Sequence, residues 1–190
     1  MFNEALLFLI DALLQPFAAV LLFRFHAVWL RVPMRNPLGE FVMAITDFAV
    51  LRARRFIPTA WGLDSASLLL AFGVEFGYLA TFLALQGYAY DHFPLTGLLA
   101  WTTVKLLKLS LYLLIASLLV EAILSWFNPR TPIAPLLAAV NRPFVQPVRR
   151  IVPPLGQVDL SILLLFLFLF CQLVLIVVVG GLEQAAMRLL

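Results

Sequence analysis

Two copies of one signature carry the residues best suited to chemistry: Arg54-Arg55-x-x-Pro58 followed by Asp64, and Arg149-Arg150-x-x-Pro153 followed by Asp159. Paired guanidiniums suit phosphate oxygens, which they grip through forked, charge-assisted hydrogen bonds. Proline turns the chain and removes a donor, and an aspartate ahead of an apolar run suits the positive end of a helix. The chemistry implied is binding. No Ser/His/Asp set, paired acids or Gly-rich phosphate loop accompanies the signature, so no catalytic residue is expected. The single Cys171 rules out an intramolecular disulfide, and His26 and His92 are assigned to opposite ends of the spans, so neither a metal nor another cofactor is expected.

A second set of candidates consists of charges embedded in apolar stretches: Asp11, Arg24, Glu75, Lys105, Lys108 and Glu121. A charge at the centre of a membrane span costs roughly 2.5–3.5 kcal/mol on insertion scales, so each needs a partner, water or a function.

The elements that position these residues follow from composition. With 64% apolar and 12% charged residues and a mean hydropathy of +1.04, the chain reads as an all-α integral membrane protein. Four stretches, 5–30, 65–87, 96–127 and 160–179, approach the roughly 20 residues that cross about 30 Å of hydrocarbon. The first lacks a basic flank and a small-residue cleavage site, and reads as a retained span. The signatures lie 95 residues apart; at that offset Arg35 matches Arg130, Pro37 matches Pro132 and Val50 matches Val145. The chain therefore divides into repeats 1–95 and 96–190, each with a span, an elbow segment carrying the signature, and a second span. An even number of spans per repeat makes the copies parallel, related by an axis along the membrane normal. Arg31, Arg35, Arg52, Arg54 and Arg55 in one elbow and Arg130, Arg142, Arg149 and Arg150 in the other place both elbows in the cytoplasm and both termini outside.

The first elbow has helical periodicity over 38–56, with Glu40, Asp47 and Arg54 on one edge and Phe41, Val42, Ile45, Phe48 and Ala49 on another face. It is expected to lie in the headgroup region of an anionic leaflet. In the second elbow Pro132, Pro135, Pro143 and Pro147 limit the predicted helix to about 133–142, with a bend beyond. Used as a depth ruler, the offset sets Asp11 level with Lys105 and Lys108, and Arg24 level with Glu121. The first and third spans are accordingly expected to pack together, with Asp11 opposing a lysine and Arg24 opposing Glu121. Glu75 has no basic residue at its level by this reasoning, and is read as either a neutral structural acid or a functional one. Gly73 and Gly77 offer a packing face for a second copy.

Pro147-x-Arg149-Arg150-x-x-Pro153-Pro154-x-Gly156-x-x-Asp159-x-Ser161, preceded by Ser125-Trp126 and Asn141-Arg142-Pro143, resembles the YggT (YlmG-like) family of membrane proteins with two YGGT repeats. The first half resembles it through Asn36-Pro37-x-x-x-Phe41, Arg54-Arg55-x-x-Pro58 and Asp64-Ser65, but has Leu51-Arg52-Ala53 where a proline is expected before the arginine pair. The resemblance implies a small multi-span protein of the bacterial cytoplasmic membrane, linked to osmotic tolerance, to division or nucleoid organisation, and in plastid relatives to cytochrome maturation. It supplies no catalytic residue. The resulting expectation is a non-enzymatic scaffold or assembly factor that contacts anionic lipid and a membrane-protein partner or second copy, with no nucleic acid. The alternative is an oligomeric channel or transporter component using Glu75 and the charged first and third spans.

Overall fold

The computed structural model describes residues 2–57, 62–87, 94–128, 130–151 and 160–189. Among these all regular structure is helical: α1 (Phe2–Trp29), α2 (Pro37–Ala53), α3 (Ser65–Leu85), α4 (Leu95–Phe127), α5 (Ala134–Ile151), α6 (Leu160–Val174), a π-helical segment (Leu175–Val179) and α7 (Gly180–Met187). Four stretches are long and apolar enough to cross a membrane: Asn3–Trp29, Ser65–Leu85, Leu95–Phe127 and Leu163–Met187. The fourth runs beyond the expected limit at 179, because the π turn carries the helix on through Gly180 and Gly181 instead of ending it.

Packing proceeds mainly between chain neighbours. α1 lies chiefly against α3, α3 against α4, and α4 against α6 and α7, while α1 touches α4 over a lesser length. The expected side-by-side pairing of the first and third spans is thus secondary to the α1–α3 contact. One core joins α3, α4 and the last span through Leu79, Leu98, Leu118, Leu164 and Cys171. Another joins α1, α2 and α3 through Leu21, Leu22, Val50 and Ala71. A third sets Ala27 and Val32, at the end of α1, on Leu136, Leu137 and Val140 of α5, so the second elbow helix braces the first span. Large side chains facing outward, such as Phe8, Leu13, Phe166, Phe170 and Ile176, give the bundle an apolar exterior.

Local chemistry explains the ends of these helices. Arg31 has φ 53°, and the Val32 and Arg31 amides donate to the Ala27 and Val28 carbonyls, closing α1 in the pattern usually completed by glycine. Asn36 and Pro37 start α2: the Asn36 carboxamide accepts from the Gly39 amide at 2.9 Å, and proline occupies a position whose amide would have no helical partner.

Of the two elbow helices, the second departs from its expected course. On α2 the buried side is Gly39, Val42, Thr46 and Val50, while Phe41 and Phe48 are exposed, because Thr46 turns inward to meet a charge on α1. On α5 the helix does not stop near Arg142 but continues through Pro143 and Pro147. The two prolines are one helical repeat apart on an exposed edge, so the carbonyls they free, on Ala139 and Pro143, lie along one strip instead of breaking the buried side. That buried side, Leu136, Leu137, Val140, Asn141 and Val145, supplies the packing that holds the helix together.

Candidate functional site

The embedded charges gather into three polar groups, each built across antiparallel neighbours. The first fixes α2 to the spans. Arg24 is 5% exposed, and its Nη1 donates to Thr46 Oγ1 at 2.7 Å and to Asp47 Oδ1 at 2.6 Å, while its Nε lies 3.4 Å from Asp64 Oδ2. Asp64 is fully buried and also meets Arg54, whose Nη2 is 3.0 Å from Oδ2, and accepts from the Ser67 hydroxyl at 2.6 Å. Burial pushes the Asp64 carboxyl up, but the Ser67 hydroxyl and the Arg54 and Arg24 guanidiniums outweigh it and hold the group below its ordinary 3.8. Asp64 stands at the head of α3, yet its side chain makes no capping bond to the helix backbone. Its role is to neutralise two arginines from different elements.

The expected Arg24–Glu121 pair does not form. Arg24 finds Asp47 and Asp64 within its own half of the chain, and Glu121 instead accepts from Asn141 Nδ2 at 2.6 Å. Asn141, fully buried on α5, also accepts from the Ser117 hydroxyl at 2.6 Å. This second group ties α5 to α4.

The third group lies toward the other end of the spans. Glu75 is 1% exposed, accepts from Gln15 Nε2 at 2.9 Å, and has Lys105 Nζ at 3.7 Å. The absence of a base at its level, expected from the repeat offset, is therefore overturned. That ruler compared first span with third and missed the hairpin: Glu75 lies ten residues before the end of α3 and Lys105 ten after the start of α4. Lys105 also sits 4.0 Å from the centre of the Tyr78 ring. Asp11 accepts from the Tyr78 hydroxyl and, with Glu75 and Glu183, contributes to the field on Lys105. Lys108 does not meet Asp11; it pairs with Glu183 Oε2 at 2.6 Å.

Of the signature residues, Arg54 turns to Asp64 and Arg55 is exposed, so the first arginine pair divides its work between interior and surface. Arg149 and Arg150 lie on α5, where Arg150 is exposed. Pro58, Pro153 and Asp159 lie outside the described residues. His26 Nδ1 is 2.7 Å from the Leu22 carbonyl, in keeping with a hydrogen-bonded histidine. Gly73 and Gly77 face open space on α3. Gln15, Thr46, Tyr78, Ser117, Asn141 and Glu183 were not among the expected site residues. For Asn141 a signal existed, since it stands 95 residues after Thr46. Glu183 lies beyond residue 179, the expected end of the fourth span.

Four membrane-capable helices, with their ionisable groups paired inward, define a multi-pass helical membrane protein. The chain belongs to the CCB3/YggT family, whose model matches it twice, over residues 3–85 and 100–182. It is 34% identical over 169 residues to the uncharacterized protein YggT of Escherichia coli K12, covering 85% of this chain and 84% of that one. An uncharacterized Pseudomonas aeruginosa protein is 31% identical over 161 residues, covering 84% of this chain and 81% of the relative. A Haemophilus influenzae relative is 30% identical over 145 residues, covering 76% of each chain. No solved structure matches the chain.

Proposed function

We propose that the protein is a non-enzymatic scaffold of the bacterial cytoplasmic membrane, in which two parallel repeats hold their elbow helices on the cytoplasmic leaflet as docking surfaces for envelope or osmotic-homeostasis machinery. The observation that carries this reading is that each elbow is tied to its span by a buried polar knot, Arg24–Thr46–Asp47–Asp64 in one half and Ser117–Asn141–Glu121 in the other. Such ties cost desolvation and specify geometry more than they add stability, which suits a surface that must be presented in one orientation. Their outer sides expose Arg52, Arg55, Phe41 and Phe48 on one elbow and Arg142, Gln146 and Arg150 on the other. Each basic residue near an anionic surface contributes about 1 kcal/mol. Crosslinking with mass spectrometry in native membranes tests the reading: the same neighbours should be captured from both elbows and lost in an Arg55→Glu, Arg150→Glu double variant. Capture unchanged by that variant, or a C-terminal reporter found in the cytoplasm, refutes it.

A second reading, an ion pathway, has one observation in its favour, the Asp11–Tyr78–Lys105–Glu75–Gln15 network inside the spans. It requires several copies, for which the open Gly73 and Gly77 face on α3 is available. Flux in liposomes abolished by Glu75→Gln would favour it over the scaffold; no flux in either protein would dismiss it.

A further inference from the structure

Where α4 ends and α5 begins, a cavity of about 380 Å³ is lined by Glu121, Ser125, Arg130, Thr131, Leu124 and Pro135 among others. Its size falls within the roughly 300–1,000 Å³ of small-molecule sites. A carboxylate and a guanidinium face the same space without an ion pair between them among the described residues. The Thr131 hydroxyl, on a residue of its wall, is buried and has no hydrogen-bond partner among the described residues. The first half shows what that position ordinarily does: 95 residues earlier, Asn36 spends its side chain on the Gly39 amide at the start of α2. Thr131 accepts the Ala134 amide through its backbone carbonyl, and its hydroxyl is left unpaired. A buried polar group left unpaired is destabilising, a cost that a ligand would remove.

We infer that this cavity binds the phosphoethanolamine headgroup of a phospholipid, with the ammonium on Glu121 and the phosphate on Arg130 and Thr131. The zwitterion matches one acid and one base in one cavity, and Leu124, Ala134, Pro135 and Ala138 provide apolar walls for the glycerol and the start of the chains. Depth agrees. Glu121 lies six residues before the end of α4, or about 9 Å at 1.5 Å per residue. The 33 residues of α4 exceed the roughly 20 needed to cross the hydrocarbon, so its end reaches headgroup level. The inference does not depend on the scaffold reading, because a headgroup layer lies at either face of the membrane.

Native mass spectrometry of the full chain in detergent, titrated separately with phosphatidylethanolamine, phosphatidylcholine and phosphatidylglycerol, tests it. The wild type should retain phosphatidylethanolamine about tenfold better than the other two, since methylated or absent ammonium protons cannot donate to Glu121. Glu121→Gln, which keeps an acceptor for Asn141, should lose that preference without losing phosphatidylglycerol. Arg130→Gln should weaken all three lipids, and Thr131→Val should weaken phosphatidylethanolamine about threefold without touching the Asn141 knot. Equal retention of phosphatidylethanolamine by the wild type and both charge variants overturns the site, as does equal retention of the three lipids by the wild type. Soluble glycerophosphoethanolamine binding as tightly as the lipid, with the same dependence on the variants, overturns the membrane source while supporting the headgroup chemistry.

Discussion

The two halves fasten their elbow helices with different chemistry at the same place. In the first, Thr46 of α2 meets a buried cation, Arg24, which is shared by Asp47 and Asp64. In the second, the corresponding residue is Asn141 of α5, and it meets an acid, Glu121, and a hydroxyl, Ser117. The offset also sets Asp47 against Arg142, Arg24 against Leu119, and Glu121 against His26. What recurs is the junction: a polar residue on the inner side of the elbow helix reaching the preceding span. The charges can be exchanged, because a buried knot needs complementarity and full hydrogen bonding, and either sign provides it.

That comparison predicts unequal tolerance to substitution. Asp64→Ala should have the largest effect, since it leaves the buried Arg24 with only Asp47 and Thr46 and deprives Arg54 of its partner. Removing one member of a buried pair costs about 3–5 kcal/mol, readable by unfolding in mixed dodecyl sulfate micelles. Arg24→Leu, which installs the residue found at the matching position of the second half, should cost less, because Asp64 keeps Arg54 and Ser67. A larger loss from Arg24→Leu than from Asp64→Ala would break the account of the knot. The same carboxylate sets a pH limit. Its folded pKa is held below 3.8, so its contribution is fully present above that value and is lost as pH falls from 3.8 through the lower folded pKa. Asp64→Asn should flatten that part of the acid limb while leaving the rest of the profile in place.

The second knot should be weaker to break. Asn141→Ala leaves Ser117 and Glu121 without their shared partner, at about 1–3 kcal/mol. Because α5 also braces the end of α1, the loss should loosen both halves, seen as faster amide exchange in α1 near Ala27 as well as in α5. Exchange confined to α5 would separate the brace from the knot.

Much of this architecture was legible in the residues, and the misses share a cause. Hydropathy located the four membrane-capable helices, and the helices α2 and α5 lie between them. The offset, however, compares equivalent residues of two halves, whereas contacts arise between antiparallel neighbours. By the offset Glu75 and Lys105 therefore fall at unrelated levels, although they stand equally far from the connection between α3 and α4. The offset matches Arg24 to Glu121 across halves, whereas Asp47 and Asp64 are nearer along the chain. Pro143 and Pro147 predicted a break because local propensity was read without the apolar side opposite them, which the tertiary packing of α5 rewards.

The remaining effects, down to the smallest, concern how each elbow helix begins, and they test whether the two junctions are interchangeable. Gly39 opens α2 beneath the loop that leaves α1, and a Cβ there would meet the Met34 carbonyl oxygen at 2.3 Å. That contact is backbone, so it cannot be relieved by a rotamer change. The matching residue of the second half is Ala134, half-buried at the start of α5, where Thr131 turns the chain without using its side chain as a cap. Gly39→Ala should therefore cost about 1–3 kcal/mol by overpacking. The reverse change, Ala134→Gly, should cost only the backbone entropy of about 0.5–1 kcal/mol. Thermal unfolding of the two variants side by side measures the asymmetry. Equal and small losses would mean that the first turn of α2 can shift away from Met34, and with it Asn36 and the capping bond that distinguishes the first elbow from the second.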